Sequence, residues 1–123
     1  DKDKSKIIEV CEDLISLGFK LIATSGTAKV ILKNNLSVSV TNKITEGKPS
    51  ILDLILSDEI HLIINTIEGR TSAKDSMQLR RNAISKNIPY YTTLAEAKVV
   101  SKSILKLNSS ELDIKSIQSY IGI

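Results

Sequence analysis

A run of small polar residues, Thr24-Ser25-Gly26-Thr27, follows a short apolar segment and precedes a stretch of helical composition. Backbone amides at the start of a helix attract anions, and neighbouring hydroxyls add hydrogen-bond donors. Gly26 would let a bound group approach the backbone closely. Thr and Ser at such a junction also serve as helix caps, which is their commoner use. These residues alone leave both interpretations open, with capping ahead.

Lys43 favours the anion interpretation. It lies in the polar segment after the next predicted strand, so a parallel sheet would bring it beside Thr24. A lysine ammonium is a point charge suited to phosphate. A solvated loop lysine is the usual alternative, and that alternative is stronger for Lys4, which lies near the start of the sequence where chains fray.

Asn65 and Thr66 directly follow a third apolar segment. An amide and a hydroxyl at the edge of a sheet can bind ribose hydroxyls or the edge of a base. The same two residues, followed by Glu68-Gly69, would also suit a turn that binds nothing.

Other charged residues have ordinary explanations. Arg70 could support an anion or pair with a nearby carboxylate, and Asp75 suits the first turn of a helix because of the helix dipole. Arg80-Arg81 fits a solvated face or an interdomain contact. His61 precedes a strand at the amino end of the sheet, away from the expected ligand site, and is interpreted as structural.

The sequence contains no recognisable catalytic set. There is no Ser/His/Asp arrangement, no phosphate-binding G-x-x-x-x-G-K-[ST] loop and no G-x-G-x-x-G. One histidine and one cysteine exclude a two-histidine metal site within a single chain and a cysteine zinc cluster. Hydroxyls, an amide and lysines suit holding a phosphorylated small molecule better than transforming one.

Short strands and helices alternate along the chain and would position these residues. Strands are predicted at 20–23, 38–40, 61–64 and 90–91. Helices are predicted from Ser5 to a cap at Gly18 and at 28–32, 51–56, 73–86, 94–107 and 111–121. This alternation predicts a three-layer, doubly wound α/β fold with a parallel sheet between helices. The polar segments that follow the strands would meet at the carboxyl edge of the sheet, where ligands bind in such folds.

Composition narrows the class of protein. The 123 residues, 41% of them hydrophobic, fit one domain over 1–123. A net charge of +3, three Tyr, one Phe and no Trp argue against a nucleic-acid partner. No apolar run approaches the ~20 residues of a membrane helix. The first residue is Asp rather than Met, which predicts a piece of a longer chain, and the lone Cys11 fits a reducing, cytoplasmic setting.

Short segments in a fixed order resemble one known family. They are Asp3-Lys4, Leu17-Gly18-Phe19, the run from Ala23 to Ala28, Asn42-Lys43 with Glu46-Gly47-Lys48-Pro49, Ile63-Ile64-Asn65-Thr66, Gly69-Arg70, Asp75-Ser76, Arg80-Arg81, and Tyr90 with Thr92-Thr93-Leu94. Each is weak alone, but in this order they resemble the methylglyoxal-synthase-like domain family. Within that family the pattern looks like the C-terminal allosteric domain of carbamoyl-phosphate synthetase large chains.

The resemblance implies a regulatory domain with a five-stranded parallel sheet, no catalysis and no cofactor of its own. It implies a nucleotide effector, such as UMP as inhibitor or IMP as activator. The phosphate would be held by Lys4, Thr24, Thr27 and Lys43, with Ser25 and Gly26 in the same turn. Asn65 and Thr66 would face the ribose or base. Tyr90 and Thr92 match positions that line an ornithine site in some members.

For the parent protein, the resemblance implies an ATP-dependent, glutamine-hydrolysing ligase of arginine and pyrimidine biosynthesis. That enzyme would use ATP with Mg²⁺ or Mn²⁺, and K⁺ as a candidate further ion. The partners of this domain would be the synthetase core of the same chain and a glutaminase small subunit.

Departures from the family pattern keep other ligands and one enzyme open. Ile67 stands where a second Thr is usual, and Ser25 stands where His is common. Animal relatives respond to UTP and phosphoribosyl pyrophosphate, or to N-acetylglutamate. The alternative is a methylglyoxal synthase-type lyase acting on dihydroxyacetone phosphate, but its Gly-Gly-Asp segment corresponds here to Glu46-Gly47-Lys48-Pro49-Ser50, which has no Asp. The cyclohydrolase domain of purine biosynthesis shares the fold, but its longer catalytic partner is absent from this sequence.

Overall fold

The computed structural model describes residues 2–66, 72–108 and 117–122, and only the backbone of residues 2–5, 105, 107–108 and 117–122. The chain alternates helices and strands, which confirms the α/β prediction. The elements in order are α1 (Lys2–Ser16), β1 (Phe19–Thr24), α2 (Ser25–Lys33), β2 (Ser39–Thr41), a 3₁₀ turn (Ile44–Glu46), α3 (Ile51–Leu56), β3 (Leu62–Asn65), α4 (Ala73–Ser85), β4 (Tyr90–Tyr91), α5 (Leu94–Asn108) and β5 (Ile117–Gly122).

The five strands of the described residues form one parallel sheet in the order β2-β1-β5-β3-β4. The last strand of the chain thus lies in the middle, and Tyr120 pairs with Ile22 on one side and with Ile63 on the other. This corrects the predicted helix at 111–121, of which 111–116 lies outside the described residues. The spacing of Ile114, Ile117 and Ile121 suits a helix, but the backbone groups of β1 and β3 need a strand between them.

Helices cover both faces of the sheet. Leu21 and Ala23 of β1 enter a first core with α1, α2 and α5, whereas Ile22 enters a second core with α3 and α4. β3 divides its side chains between the two cores in the same alternating way, as the period of a strand requires. Strands buried on both sides explain the uninterrupted apolar runs in the sequence.

The crossovers determine where the loops lie. The steps from β1 to β2 and from β4 to β5 run in one direction along the sheet, and their helices α2 and α5 cover the first core. The steps from β2 to β3 and from β3 to β4 run the other way, with α3 and α4 on the second core. This is the arrangement that right-handed crossovers produce. The chain therefore leaves β1 and β3 toward opposite faces, and β5 lies between them at the edge where doubly wound folds bind ligands.

Two predicted boundaries receive a structural explanation. Gly18 has a φ of 95°, the left-handed conformation expected for the residue that ends α1. The turn predicted at Thr24–Thr27 is not separate, because Thr24 is the last residue of β1 and α2 begins at Ser25. The strand passes directly into the helix.

Ser50 and Asp53 form a capping arrangement at the start of α3. Asp53 accepts hydrogen bonds from the Ser50 backbone N–H at 2.7 Å and from the Ser50 hydroxyl at 3.2 Å. The backbone bond is the main reason why the pKa of Asp53 lies below its ordinary value of 3.8, with a smaller contribution from Lys48 and with desolvation opposing both. A carboxylate in the first turn also suits the positive end of the helix dipole.

We expect Asp53→Asn to reduce the loss of stability in acid. A carboxyl group whose pKa is lowered by folding stabilises the fold above its unfolded pKa, and this contribution is lost as the pH falls through the folded pKa. Chemical denaturation between pH 7 and pH 2 measures the effect. Glu12→Gln, which removes an exposed carboxylate with no hydrogen bond or ion pair in the described chain, is the control. An identical pH profile for wild type and Asp53→Asn would contradict the prediction.

Cys11 should react only when the domain unfolds. Its side chain is fully buried in the first core, and desolvation, with a smaller effect of Glu12, raises the pKa of the thiol to about 12. We expect iodoacetamide at pH 8 to modify Cys11 in denaturant but not in the native protein, as measured by mass spectrometry of the peptide. Between pH 9 and 12 the folded state binds more protons than the unfolded state, so this thiol lowers stability as the pH rises. Equal labelling rates in both states would contradict its burial.

Candidate functional site

Thr24 occupies the N-cap position of α2 without capping it. Its backbone is extended, with φ −73° and ψ 164°, but its side chain makes no capping hydrogen bond. The residue as a whole is nonetheless buried, at 7% exposure. This separates the two interpretations of the Thr24–Thr27 run, because the hydroxyl of Thr24 is not used to hold the helix.

The first turn of α2 borders open space. A Cβ atom added at Gly26 would meet no atom within 4 Å. Ser25 and Gly26 are exposed, whereas Thr27 is buried. The first amides of a helix have no partner within it, so a group that approached this turn would find hydrogen-bond donors and the positive end of the dipole.

Lys43 begins a compact loop beside this turn. Thr24 pairs with Thr41 on the neighbouring strand, so Lys43 follows just beyond the level of Thr24. The loop closes on itself, since Asn42 bridges to Ser50 and its amide donates to the Gly47 carbonyl at 3.3 Å.

Glu46, in the same loop, accepts a hydrogen bond from the loop backbone. The Lys43 backbone N–H donates to Glu46 at 2.6 Å, at the head of the 3₁₀ turn. The Lys43 side chain is half-buried, and no ion pair engages it among the residues that the structure describes. The strand register therefore places Lys43 at the same edge of the sheet as the start of α2.

Asn65 and Thr66 end β3 in a nearly closed environment. Asn65 is 3% exposed, and its amide nitrogen donates to the Tyr90 hydroxyl at 2.8 Å and to the Ser76 hydroxyl at 3.1 Å. Thr66 is 4% exposed, and its hydroxyl has no hydrogen-bond partner within the described part of the chain. A buried hydroxyl without a partner costs about 1–3 kcal/mol, so it marks a place where a ligand group or a water would be stabilised.

The register of β5 relates the two halves of the site. Ile22 pairs with Tyr120, and Asn65 pairs with Gly122. The same register brings Thr24 level with Gly122, so Thr24 and Asn65 stand on either side of β5, about 10 Å apart at two strand spacings. Lys43, Thr24 and Asn65 therefore follow one another across the carboxyl edge, with the cation at one end and the amide at the other.

Several predicted residues cannot be placed at this edge by the structure. Lys4 lies in the first turn of α1, and only its backbone is described. Segment 67–71, with Arg70, lies outside the described residues. Thr92 is half-buried just after β4, and Arg80 and Arg81 are exposed on α4.

Ser76 was not among the predicted site residues. It is separated from Asn65 by eleven positions, and no local pattern marks the contact. Within the described ranges, no three His, Cys, Asp or Glu side chains come together as a metal site would require. None of the helices covered by those ranges is long and apolar enough to cross a membrane.

Comparison with known proteins agrees with the resemblance seen in the sequence. The family model described as "MGS-like domain" matches residues 6–92. The chain is 37% identical over 123 residues to the large chain of carbamoyl phosphate synthase from Myxococcus xanthus, covering all of this chain and 11% of the relative. It is 41% identical over 120 residues to the large chain from a Nostoc strain, an alignment that covers 98% of this chain and 11% of the relative. It is 47% identical over 104 residues to the large chain from Pseudomonas putida, an alignment that covers 85% of this chain and 10% of the relative. The chain thus spans about a tenth of the length of these curated relatives.

Thr24→Val should leave the unliganded protein nearly as stable as wild type. Valine keeps the volume and branching of threonine, and no capping bond is lost. Loss of a true capping hydroxyl costs about 1 kcal/mol. Urea denaturation compares the variant with Ser50→Ala, which removes a hydroxyl that does contact a first-turn carboxylate. A loss near 1 kcal/mol for Thr24→Val would restore the capping interpretation.

Proposed function

Because the chain belongs to the MGS-like domain family, we propose that it is the allosteric domain of a carbamoyl phosphate synthase large chain. In this proposal a nucleotide effector binds at the carboxyl edge of the sheet, with its phosphate at the start of α2. The observation that carries the proposal is the buried Thr24, whose hydroxyl does not cap the helix it precedes.

The groups around α2 suit a phosphate. A phosphate placed over Gly26 would meet the first-turn amides and the positive end of the helix dipole, and the open space there would admit it. The Thr24 hydroxyl adds a donor. Lys43, on the next strand's loop, adds a charge without competing for a carboxylate partner in the described chain. Lys4 and Thr27 complete the phosphate site that the family pattern implies.

The other end of the site suits the sugar or base. Asn65 and Thr66, whose hydroxyl has no partner among the described residues, lie across β5 from Thr24. A nucleoside monophosphate such as UMP or IMP carries both a phosphate and polar ribose and base groups, which is the combination that this edge offers. Inorganic phosphate would use only the α2 end.

A regulatory role gives the ligand an indirect effect on catalysis. A distant effector changes activity only if it binds two states of the whole protein differently, typically by about 1–3 kcal/mol. The parent would be a ligase that works with a glutaminase small subunit and uses ATP with Mg²⁺ or Mn²⁺, and K⁺, while this domain needs no cofactor. The segment from Tyr90 to Leu94 would transmit the change to the synthetase core, with ornithine as a ligand at Tyr90 and Thr92 in some members.

The lyase alternative has less support from the loop after β2. A methylglyoxal synthase-type reaction needs a carboxylate base near the phosphate. Glu46 instead accepts the Lys43 backbone N–H, and Asp53 accepts two bonds from Ser50. Both carboxylates thus accept hydrogen bonds from within the loop. Binding without catalysis therefore agrees better with the geometry.

Calorimetric titration of the full-length protein with UMP and with IMP tests the proposal. We expect Lys43→Ala to weaken nucleotide binding by about 1–3 kcal/mol, the scale of a charged hydrogen bond, with little change in stability. Gly26→Ala should weaken binding by occupying the open space, while the unliganded helix gains up to about 1 kcal/mol.

Lys33→Ala, which removes the same charge at the other end of α2, is the matched control. Unchanged affinity in both Lys43→Ala and Gly26→Ala would remove the phosphate site from this edge. Formation of methylglyoxal from dihydroxyacetone phosphate by the wild-type protein would instead support the lyase.

A further inference from the structure

Lys43 lies just beyond the end of β2, where strand pairing no longer holds the backbone. Thr41 is the last residue of that strand and pairs with Thr24 of β1, and Lys43 follows two residues later. A flexible side chain places its charge accurately only when the backbone that carries it is fixed. The groups that fix Lys43 must therefore come from the loop between β2 and α3.

Two hydrogen bonds join Lys43 to Glu46, three residues further along this loop. The Lys43 backbone N–H donates to the Glu46 carboxylate at 2.6 Å, and the Lys43 carbonyl accepts from the Glu46 backbone N–H at 3.0 Å. The first bond is charge-assisted, which is the stronger class. Ile44, within the same turn, packs against the second core and so attaches the turn to the body of the domain.

The Glu46 carboxylate holds the backbone of Lys43 rather than its ammonium group. No ion pair engages the Lys43 side chain among the described residues, and Glu46 is itself exposed. A carboxylate paired with the ammonium would compete with an anionic ligand for the lysine. A carboxylate bound to the backbone N–H fixes the place of the lysine and does not compete for its charge in this way.

We propose that Glu46 is a positioning residue of the phosphate site, which acts by fixing the backbone of Lys43 at the edge of the sheet where α2 begins. The inference rests on the proposed function, because it needs a phosphate that Lys43 contacts. The carboxylate has two effects of opposite sign. Its hydrogen bond favours anion binding by holding Lys43, whereas its negative charge opposes an anion nearby.

Substitutions of Glu46 in the full-length protein separate the two effects. Glu46→Ala removes both the acceptor and the charge, whereas Glu46→Gln keeps an acceptor oxygen for the Lys43 N–H and removes only the charge. We expect the Kd for UMP or IMP, and for inorganic phosphate, to rise roughly three- to tenfold in Glu46→Ala, the scale of one hydrogen bond. In Glu46→Gln the Kd should return to the wild-type value or fall below it.

A double-mutant cycle supplies the second test, because a positioning residue acts only through the group that it positions. In the Lys43→Ala background, we expect Glu46→Ala to leave the Kd for the same ligands unchanged or to lower it. Glu59→Ala is the matched control, since Glu59 is also exposed and accepts a hydrogen bond locally, from the Ser57 hydroxyl, in the turn before β3. It should bind like wild type.

Circular dichroism and thermal unfolding check that each variant is folded. If Glu46→Ala fails to fold, Glu46→Met, which keeps the length of the side chain without an acceptor oxygen, takes its place in both tests.

A Kd in Glu46→Ala equal to or below the wild-type value would overturn the positioning role while leaving the proposed function intact. Binding as weak in Glu46→Gln as in Glu46→Ala would also overturn it, as would a loss of affinity that is the same with and without the Lys43 side chain. A wild-type protein that binds neither nucleotide nor phosphate would overturn the proposed function itself, and with it this inference.

Discussion

The pairing of β5 between β1 and β3 is the constraint on which the rest of the structure depends. Without it the hydrogen-bonding groups on the facing edges of β1 and β3 would have no partner, and the sheet would divide into two separate pairs of strands. Insertion of the strand joins the halves and separates Thr24 from Asn65 by two strand spacings. It also directs the chain after β1 and the chain after β3 to opposite faces, which opens the edge between them.

The polar groups at that edge are arranged differently at its two ends. At the β1 end, a strand passes directly into a helix, and the buried Thr24 and the open space at Gly26 leave the first-turn donors of α2 unobstructed. At the β3 end, the Asn65 amide is held by hydroxyls of α4 and β4, while the neighbouring Thr66 hydroxyl has no partner in the described chain. One end is thus suited to an anion, and the other is an ordered set of polar groups.

The loop between β2 and α3 is held by hydrogen bonds among its own residues. Glu46 accepts from the Lys43 backbone at the start of the 3₁₀ turn, and Asp53 accepts from the Ser50 backbone at the start of α3. A backbone bridge between Asn42 and Ser50 joins the two ends of the loop. These bonds engage Glu46 and Asp53, while Lys43 has no ion pair among the residues that the structure describes. A loop with this distribution of charge is suited to recognising a phosphate and poorly supplied with a base for removing a proton.

The sequence by itself determined the parts of this protein that depend on local spacing. The apolar stripe of α1, the buried runs of β1 and β3 and the glycine that ends α1 each follow from side-chain periodicity or backbone preference within a few residues. The order of the short motifs also identified the family. Which polar residues follow the strands could be predicted for the same reason, because a strand's end is visible where its apolar run stops.

Tertiary structure alone decided what depends on distant partners. Ile117–Gly122 has a spacing compatible with a helix, and it becomes a strand because the gap between β1 and β3 offers it two sets of backbone partners. Thr24 has the residue type of a cap, and only the geometry of the junction leaves its hydroxyl out of the helix. Asn65 finds its partners eleven and twenty-five positions away. Such contacts depend on how whole elements pack, which local sequence does not encode.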